Sequence, residues 1–206
     1  MINWALIPVK SFDVGKSRLR KVFSLQELIL LNISLFQSTF LKVKDSGQFD
    51  QILVVSRDKS ALAWAEANHG ECLLEEGNET LNSAFTQGLA WIGSHGAGSV
   101  LILPTDLPLL TVSDLCALET YHPEDPGMLI VPDHAQLGTN ALMITRPDLL
   151  TPQYGANSFQ LHCKQAEQLH LNQIIYLNRH LQQDIDTPED LVLIQKSYLL
   201  NSPIAS

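Results

Sequence analysis

The sequence predicts an α/β protein in which helices cover both faces of a mainly parallel sheet, giving a three-layer sandwich. Short apolar runs alternate with longer segments of helical periodicity, which is typical of βαβ units. Several of these runs are apolar throughout, as expected of strands that are covered on both faces. The chain has 206 residues with no internal repeat or linker, so we expect one domain over residues 1–206.

Seven apolar runs are the predicted strands, and the polar residues that follow them are the first place to look for function. Ligands of open parallel sheets gather beyond the carboxyl ends of the strands. The predicted strands are Trp4–Val9, Ile52–Ser56, Glu71–Leu74, Val100–Pro104, Met128–Pro132, Ala141–Thr145 and Ile174–Leu177.

Six segments between these runs have helical patterns. In the first, Leu28, Leu31 and Leu35 recur at three- and four-residue intervals and form one apolar stripe. The last has the clearest start, because Thr187 can cap it and Pro188 suits the first helical position. The predicted helices are Leu25–Leu41, Lys59–Asn68, Leu81–Ser94, Ser113–Thr120, Phe159–Leu169 and Pro188–Leu199.

Composition and charge exclude several classes of protein. With 45% hydrophobic residues, the chain can bury a core and is not disordered. A formal charge of −9 without any Lys/Arg run argues against nucleic-acid or anionic-membrane binding, and no apolar run is long enough to span a bilayer. The N-terminus resembles a strand and not a signal peptide. Three scattered cysteines without a CxxC motif favour a reducing cytoplasm.

A basic loop follows the first predicted strand. Lys10, Lys16 and Arg18 supply positive charge there, and backbone N–H groups around Gly15 can wrap phosphate oxygens. The loop is not a P-loop, because Lys10 stands where that motif requires a glycine, five positions before Gly15. A solvated basic turn remains the alternative interpretation.

Three acidic residues are candidate ligands for Mg²⁺. Asp106 follows the fourth predicted strand between two prolines, and Asp184 and Asp186 point to one side of an extended segment near the C-terminus. The alternative is structural: Asp106 belongs to a turn or a helix cap, Asp186 caps the last helix and Asp184 is solvated. The metal hypothesis therefore requires Asp106 to converge on the later pair.

Small polar residues in three other segments can bind anions or a nucleotide. Thr139 precedes the sixth predicted strand, and Gly155 and Ser158 lead into a helix whose free N–H groups suit a phosphate or carboxylate. The alternative role of Ser158 is that of a helix N-cap. Asn82, at the start of another helix, is a candidate for contacting a base or sugar.

Taken in order, these segments resemble the 2-phospho-L-lactate or phosphoenolpyruvate guanylyltransferase family of deazaflavin coenzyme biosynthesis. The resemblance covers nearly the whole chain. It rests on Ile7-Pro8-Val9-Lys10, Gly15-Lys16-Ser17-Arg18-Leu19, Val54-Val55-Ser56, Leu81-Asn82, Leu103-Pro104-Thr105-Asp106-Leu107-Pro108-Leu109-Leu110, Gly138-Thr139-Asn140-Ala141-Leu142, Tyr154-Gly155-Ala156-Asn157-Ser158-Phe159, His162 and Asp184-Ile185-Asp186-Thr187-Pro188-Glu189-Asp190-Leu191.

The resemblance implies a Rossmann-like mixed sheet of the nucleotide-diphospho-sugar transferase type and a set of site residues. The implied nucleotide-binding residues are Lys10, Lys16, Arg18 and Asn82; the implied metal ligands, for one or two Mg²⁺ ions, are Asp106, Asp184 and Asp186; the implied acceptor-binding residues are Thr139, Gly155 and Ser158. Asp106 and Lys16 are the implied catalytic residues. The resemblance further implies a homodimer.

The expected reaction moves GMP from GTP onto the phosphate of phosphoenolpyruvate, 2-phospho-L-lactate or 3-phosphoglycerate and releases pyrophosphate. Three alternatives stay open on the sequence. The first is a nucleotidyltransferase that uses CTP, or another nucleotide, with a sugar or alcohol phosphate. The second is a glycosyltransferase that uses a nucleotide-sugar, and the third is a catalytically silent nucleotide-binding module.

Overall fold

The computed structural model describes residues 2–77 and 80–201 and contains one seven-stranded sheet. The strand order is β3-β2-β1-β4-β6-β5-β7. Four of the six neighbouring pairs are parallel, and β6 runs antiparallel to both β4 and β5. The strands are β1 (Ile2–Val9), β2 (Gln51–Ser56), β3 (Glu71–Leu74), β4 (Ala97–Ile102), β5 (Gly127–Pro132), β6 (Thr139–Ile144) and β7 (Asn172–Ile175).

All six predicted helices are present, with shifts at their ends. They are α1 (Leu25–Ser46), α2 (Lys59–Ala67), α3 (Leu81–Ser94), α4 (Val112–Thr120), α5 (Ser158–Gln168) and α6 (Pro188–Asn201). The first helix extends past its predicted end at Leu41, and the sequence pattern stopped short because the last turn is largely polar. It stops at Gly47, whose left-handed φ of 63° closes the helix. Its start is a capping box between Ser24 and Glu27.

Two apolar cores, one on each face of the sheet, confirm the predicted three-layer sandwich. On one face, α1, α2 and α4 pack over inward side chains such as Ile7 and Val54. On the other face, α3 and α5 pack over Leu6 and Val55. Neighbouring residues of each strand thus enter opposite cores, as the pleat of a β-strand requires.

A third, smaller apolar cluster lies beside the carboxyl end of the sheet. Leu19, from a 3₁₀ turn over Ser17–Lys21, is fully buried there against Leu28 and Leu109. Ile185 and Ile194 complete the cluster. It therefore joins the segment after β1, the segment after β4 and the start of α6 by apolar contact.

Over residues 2–77 and 80–201, no helix combines the length and the apolar character needed to cross a membrane. The three cysteines, Cys72, Cys116 and Cys163, are free and partly buried.

Candidate nucleotide and metal site

A cavity opens between the carboxyl ends of β1 and β4, where the strand order reverses direction. Such a reversal is where open α/β sheets bind their ligands, because the connections leave the two strands on opposite sides. The cavity has a volume of about 220 Å³ and is lined by the loop after β1, including Lys10 and Lys16, and by Asp106 after β4. Asp186 and Leu81 also line the cavity.

Asp106, Asp184 and Asp186 converge beside this cavity. Each contributes a carboxylate oxygen, and the three oxygens lie within 4.8 Å of one another. The backbone N–H of Ile185 donates to the carbonyl of Asp106 at 3.0 Å and so joins the two distant segments directly. The side chain of Ile185 is buried in the third apolar cluster, while Asp184 and Asp186 on either side of it contribute to the acidic cluster.

The capping of α6 leaves the Asp186 carboxylate free for this cluster. Asp190 accepts hydrogen bonds from the backbone N–H groups of Asp186 and Thr187, at 2.9 and 2.7 Å. Thr187 in turn accepts from the N–H of Asp190 at 3.4 Å, in line with its predicted role as the cap. The alternative in which Asp186 caps the last helix is therefore wrong.

The carboxylates repel one another. Burial, with the neighbouring charge of Asp106, raises the pKa of Asp184 to about 6. The pKa of Asp186 is raised by partial burial and by Asp106, and Lys16 and Arg18 oppose that rise. Such a cluster has excess negative charge, which a bound cation would relieve.

Lys16 is the positive charge nearest the cluster. Its ammonium group lies 3.4 Å from Asp186 and 4.0 Å from Asp106, and it also donates to the carbonyl of Ile185. The side chain is only 9% exposed, and the residue has a left-handed φ of 58° at the start of the 3₁₀ turn. Lys10 lines the cavity, and Arg18 is exposed nearby on the 3₁₀ turn.

The donor set suits a divalent cation. Three carboxylate oxygens on two segments form a compact group, and hard cations such as Mg²⁺ prefer oxygen ligands. The raised pKa of Asp184 also favours a cation at this place. The negative charge of Asp184 is unfavourable beside Asp106, and a bound metal ion would compensate it.

The candidate acceptor residues lie at the same edge of the sheet. Since β6 runs antiparallel to β4, with Leu142 opposite Ile102, the first residue of β6, Thr139, lies near the end of β4. Asn140 donates to the carbonyl of Leu181 at 3.0 Å, which ties β6 to the segment that leads to Asp184.

Gly155 and Ser158 flank the start of α5. Gly155 has a φ of 131°, which favours glycine, and is exposed. Asn157 and not Ser158 occupies the N-cap position, so the capping role considered for Ser158 is wrong. Ser158 is the first residue of α5 and is buried.

Asn82 connects the start of α3 with the loop that precedes α5. Its side-chain amide donates to the carbonyl of Tyr154 at 3.0 Å, and its side-chain oxygen accepts from the N–H of Tyr154 at 2.7 Å. Both polar ends of the side chain thus bind a backbone 72 residues away. In this arrangement Asn82 fixes the loop that carries Gly155, and its contact with a base or sugar stays a prediction.

Tyr154 and His162 lie at the site and were not among the predicted site residues. The hydroxyl of Tyr154 is buried, makes no hydrogen bond within the described part of the chain, and has its pKa raised by burial and by the charge of Asp106. His162 is fully buried and contacts Thr139. Their only signal in the sequence was their place in the segments on which the family resemblance rests.

Similarity to known proteins identifies the family of the chain. A family model described as "Guanylyl transferase CofC like" matches residues 3–196. The chain belongs to this family. A phosphoenolpyruvate guanylyltransferase of Rubrobacter xylanophilus is 32% identical over 197 residues, which cover 96% of this chain and 95% of that protein. A 2-phospho-L-lactate guanylyltransferase of Methanothermobacter thermautotrophicus is 30% identical over 193 residues, covering 93% and 83%.

Solved structures confirm the fold of this CofC-like chain. A Desulfovibrio desulfuricans protein described as a nucleotide-diphospho-sugar transferase superimposes with a TM-score of 0.73 at 14% identity, covering 97% of this chain and 89% of that one. A nucleotidyl transferase from Methanothermobacter gives 0.68 at 13% identity, covering 98% and 99%. The predicted nucleotide-diphospho-sugar transferase type of sheet is thus confirmed, and the chain is a nucleotidyltransferase by family.

Proposed function

We propose that this CofC-like enzyme transfers GMP from GTP to the phosphate of a small phosphorylated carboxylic acid, with release of pyrophosphate. Phosphoenolpyruvate, 2-phospho-L-lactate and 3-phosphoglycerate are the candidate acceptors. The observation that carries the proposal is the convergence of Asp106, Asp184 and Asp186 beside Lys16, at the end of a cavity lined by the basic loop. The choice of a guanine nucleotide and of a phosphorylated acid as substrates is inferred from the names of relatives at about 30% identity.

The three carboxylates would hold one or two Mg²⁺ ions. A divalent ion held by these residues would supply positive charge that offsets the repulsion between the two anionic substrates. Lys16, with Lys10 and Arg18, would balance the charge of the departing pyrophosphate. Lys16 is held for this role by its contacts with Asp186 and the carbonyl of Ile185.

The reaction needs alignment more than proton transfer. An oxygen of the acceptor phosphate attacks the α-phosphorus of GTP, a new P–O bond forms, and the bond to the β-phosphate oxygen breaks. A phosphate monoester is already largely ionised near neutral pH, since its second pKa is about 6. No general base is required, and rate enhancement comes from positioning and charge neutralisation.

Thr139, Ser158 and the N–H of Gly155 would anchor the acceptor. The start of β6 and the start of α5 bring these residues to the edge of the sheet where β4 ends. N–H groups at the start of a helix favour an anion such as a carboxylate or phosphate.

The proposal includes the domain organisation, location and partners of the enzyme. Residues 1–206 are proposed to act as one nucleotidyltransferase domain, since all seven strands of the described residues belong to one sheet. The three free cysteines support a reducing cytoplasm as its place of action. A homodimer is proposed from the family resemblance, and neither a nucleic acid nor a membrane is a proposed partner.

The test is a mass-spectrometric assay of GTP with each of the three acids side by side, with Mg²⁺ present. We expect one guanylylated acid and an equal amount of pyrophosphate. A parallel series with CTP, ATP and UTP tests base choice. Product only from CTP with a sugar or alcohol phosphate would favour the sister nucleotidyltransferase, and no product from any nucleotide would favour a silent binding module.

Asp106→Asn is the matched variant for the metal hypothesis. It removes one charge from the cluster and keeps the size of the side chain. We expect turnover to fall by orders of magnitude with an unchanged circular dichroism spectrum, and near-wild-type turnover would remove Asp106 from the site. Asp45→Asn, exposed on α1, serves as the control.

A further inference from the structure

We propose that His162 is a positioning residue that makes the Thr139 hydroxyl a hydrogen-bond donor to the anionic acceptor. The inference rests on the proposed function, because it concerns how the acceptor acid is recognised. Within the described residues, the hydrogen bonds of His162 go to Thr139 and Gln153 and not to the acidic cluster.

His162 is fully buried and uses both ring nitrogens. Its Nε2 lies 2.9 Å from the backbone nitrogen of Gln153, and its Nδ1 lies 3.0 Å from the hydroxyl oxygen of Thr139. The His162 and Tyr154 rings form a T-shaped pair, with the ring centres 5.2 Å apart. The imidazole therefore links β6 to the loop that precedes α5.

The partner at Nε2 decides the tautomer of the ring. A backbone N–H can only donate, so Nε2 must carry the lone pair that accepts from Gln153. In a neutral imidazole the proton then lies on Nδ1. Burial lowers the pKa of His162 to about 4, which keeps the ring neutral near pH 7.

The tautomer in turn sets the direction of the Thr139 hydroxyl. Nδ1–H donates to the Thr139 oxygen, so the hydroxyl proton cannot be given back to His162. Thr139 is buried and stands at the first position of β6, at the edge of the sheet where β4 ends. The remaining proton is available for an oxygen of a bound carboxylate or phosphate, and the arrangement prefers an anionic acceptor to a donor group.

The tautomer can be read directly in the unmodified protein. Long-range ¹H–¹⁵N correlation spectra of the ¹⁵N-histidine-labelled enzyme distinguish a proton on Nδ1 from one on Nε2. The resonance of His162 is assigned by its absence in His162→Gln. We expect a neutral Nδ1–H ring at pH 7. An Nε2–H ring, or an imidazolium ion, would overturn the inference without any reference to activity.

Two substitutions at His162 separate positioning from a purely structural role. The amide of His162→Asn can place an N–H near the former Nδ1, and that of His162→Gln can place an oxygen near the former Nε2. Both variants lose one buried hydrogen bond, so a structural role predicts similar kinetics for both. We expect the KM for the acceptor to stay within about 2-fold of wild type in His162→Asn and to rise about 2- to 10-fold in His162→Gln. The KM for GTP should change in neither.

Thr139 completes a double-mutant cycle. Thr139→Val removes the hydroxyl, and we expect the acceptor KM to rise about 10- to 100-fold, the range for a hydrogen bond to a charged group, with rescue by Thr139→Ser. If His162 acts through Thr139, His162→Gln should add less than about 2-fold to Thr139→Val. Full additivity would contradict the inference. Absence of turnover with GTP and all three acids in the wild type would instead refute the proposed function, and the spectroscopic result would still judge the tautomer.

Discussion

Asp184→Asn should stabilise the metal-free protein above pH 6 while it weakens cation binding at the proposed metal site. The ordinary pKa of an aspartate is 3.8, and in the folded protein that of Asp184 is about 6. Between these values the folded state keeps a proton that the unfolded state releases. The free energy of unfolding therefore falls as the pH rises from about 4 to about 6, and the loss persists above pH 6.

The size of the effect follows from the shift. Two pKa units correspond to a ceiling of about 3 kcal/mol, and partial exposure of the carboxylate to solvent reduces this to about 1–2 kcal/mol. For a chain of this length, each kcal/mol moves the Tm by about 2–4 °C. The substitution should thus raise the Tm at pH 8 by about 2–8 °C in the presence of a chelator.

Thermal unfolding at pH 4 and pH 8 tests the reasoning. At pH 4 the carboxyl of Asp184 is largely protonated, so the variant and the wild type should have nearly the same Tm. With Mg²⁺ at pH 8, the wild type should gain stability by mass action and the variant should gain much less. Asp45→Asn controls for the loss of an exposed charge. An equal Tm change at both pH values, or a lower Tm for the variant at pH 8, would refute the account.

Two further predictions concern the basic loop. Lys16→Met removes the positive charge nearest the acidic cluster and keeps the length of the side chain. Steady-state kinetics should show a higher KM for GTP and a lower turnover. Lys21→Met, at an exposed neighbouring residue, should show neither change. Leu19→Ala opens a cavity under the loop and should cost about 2–5 kcal/mol of stability, measured by denaturant unfolding. The KM for GTP should also rise in Leu19→Ala and not in Leu89→Ala, a buried site on the other face of the sheet. Equal kinetic effects of the two leucine variants would contradict the anchoring role of Leu19.

The sequence was most informative where structure is local. Apolar runs and helix periodicity predict all seven strands and all six helices, because a strand covered on both faces and a helix with one apolar stripe each leave a repeating pattern. The ends are less well predicted: β4 begins at Ala97 and β7 at Asn172, before their apolar cores begin. These polar or small residues join the sheet through backbone pairing with β1 and β5, which leaves no trace in side-chain pattern.

The site was predicted only as far as its residues follow strands. Asp106 directly follows the predicted fourth strand, so the rule that strand ends share one edge predicts its place. The convergence of Asp184 and Asp186 on Asp106 was a condition of the metal hypothesis and not a prediction of that rule, because the pair lies well past the end of β7. The link from Asn82 to Tyr154 was not predicted either, since it joins side chain and backbone across 72 residues. No local pattern encodes such a pair, and the same is true of the contact between His162 and Thr139, which depends on how α5 packs beside β6.

The apolar and neutral contacts around the acidic cluster explain how mutually repelling groups keep their places. Three carboxylates cannot hold one another together, so beside the ion pairs with Lys16 their geometry also comes from contacts that do not depend on charge. Ile185 supplies two of these contacts, a buried side chain packed with Leu19 and a backbone N–H bonded to the carbonyl of Asp106. Neither depends on pH or on a bound ion. The cluster is therefore preorganised before any cation or nucleotide arrives, and binding can relieve repulsion without first having to assemble the site.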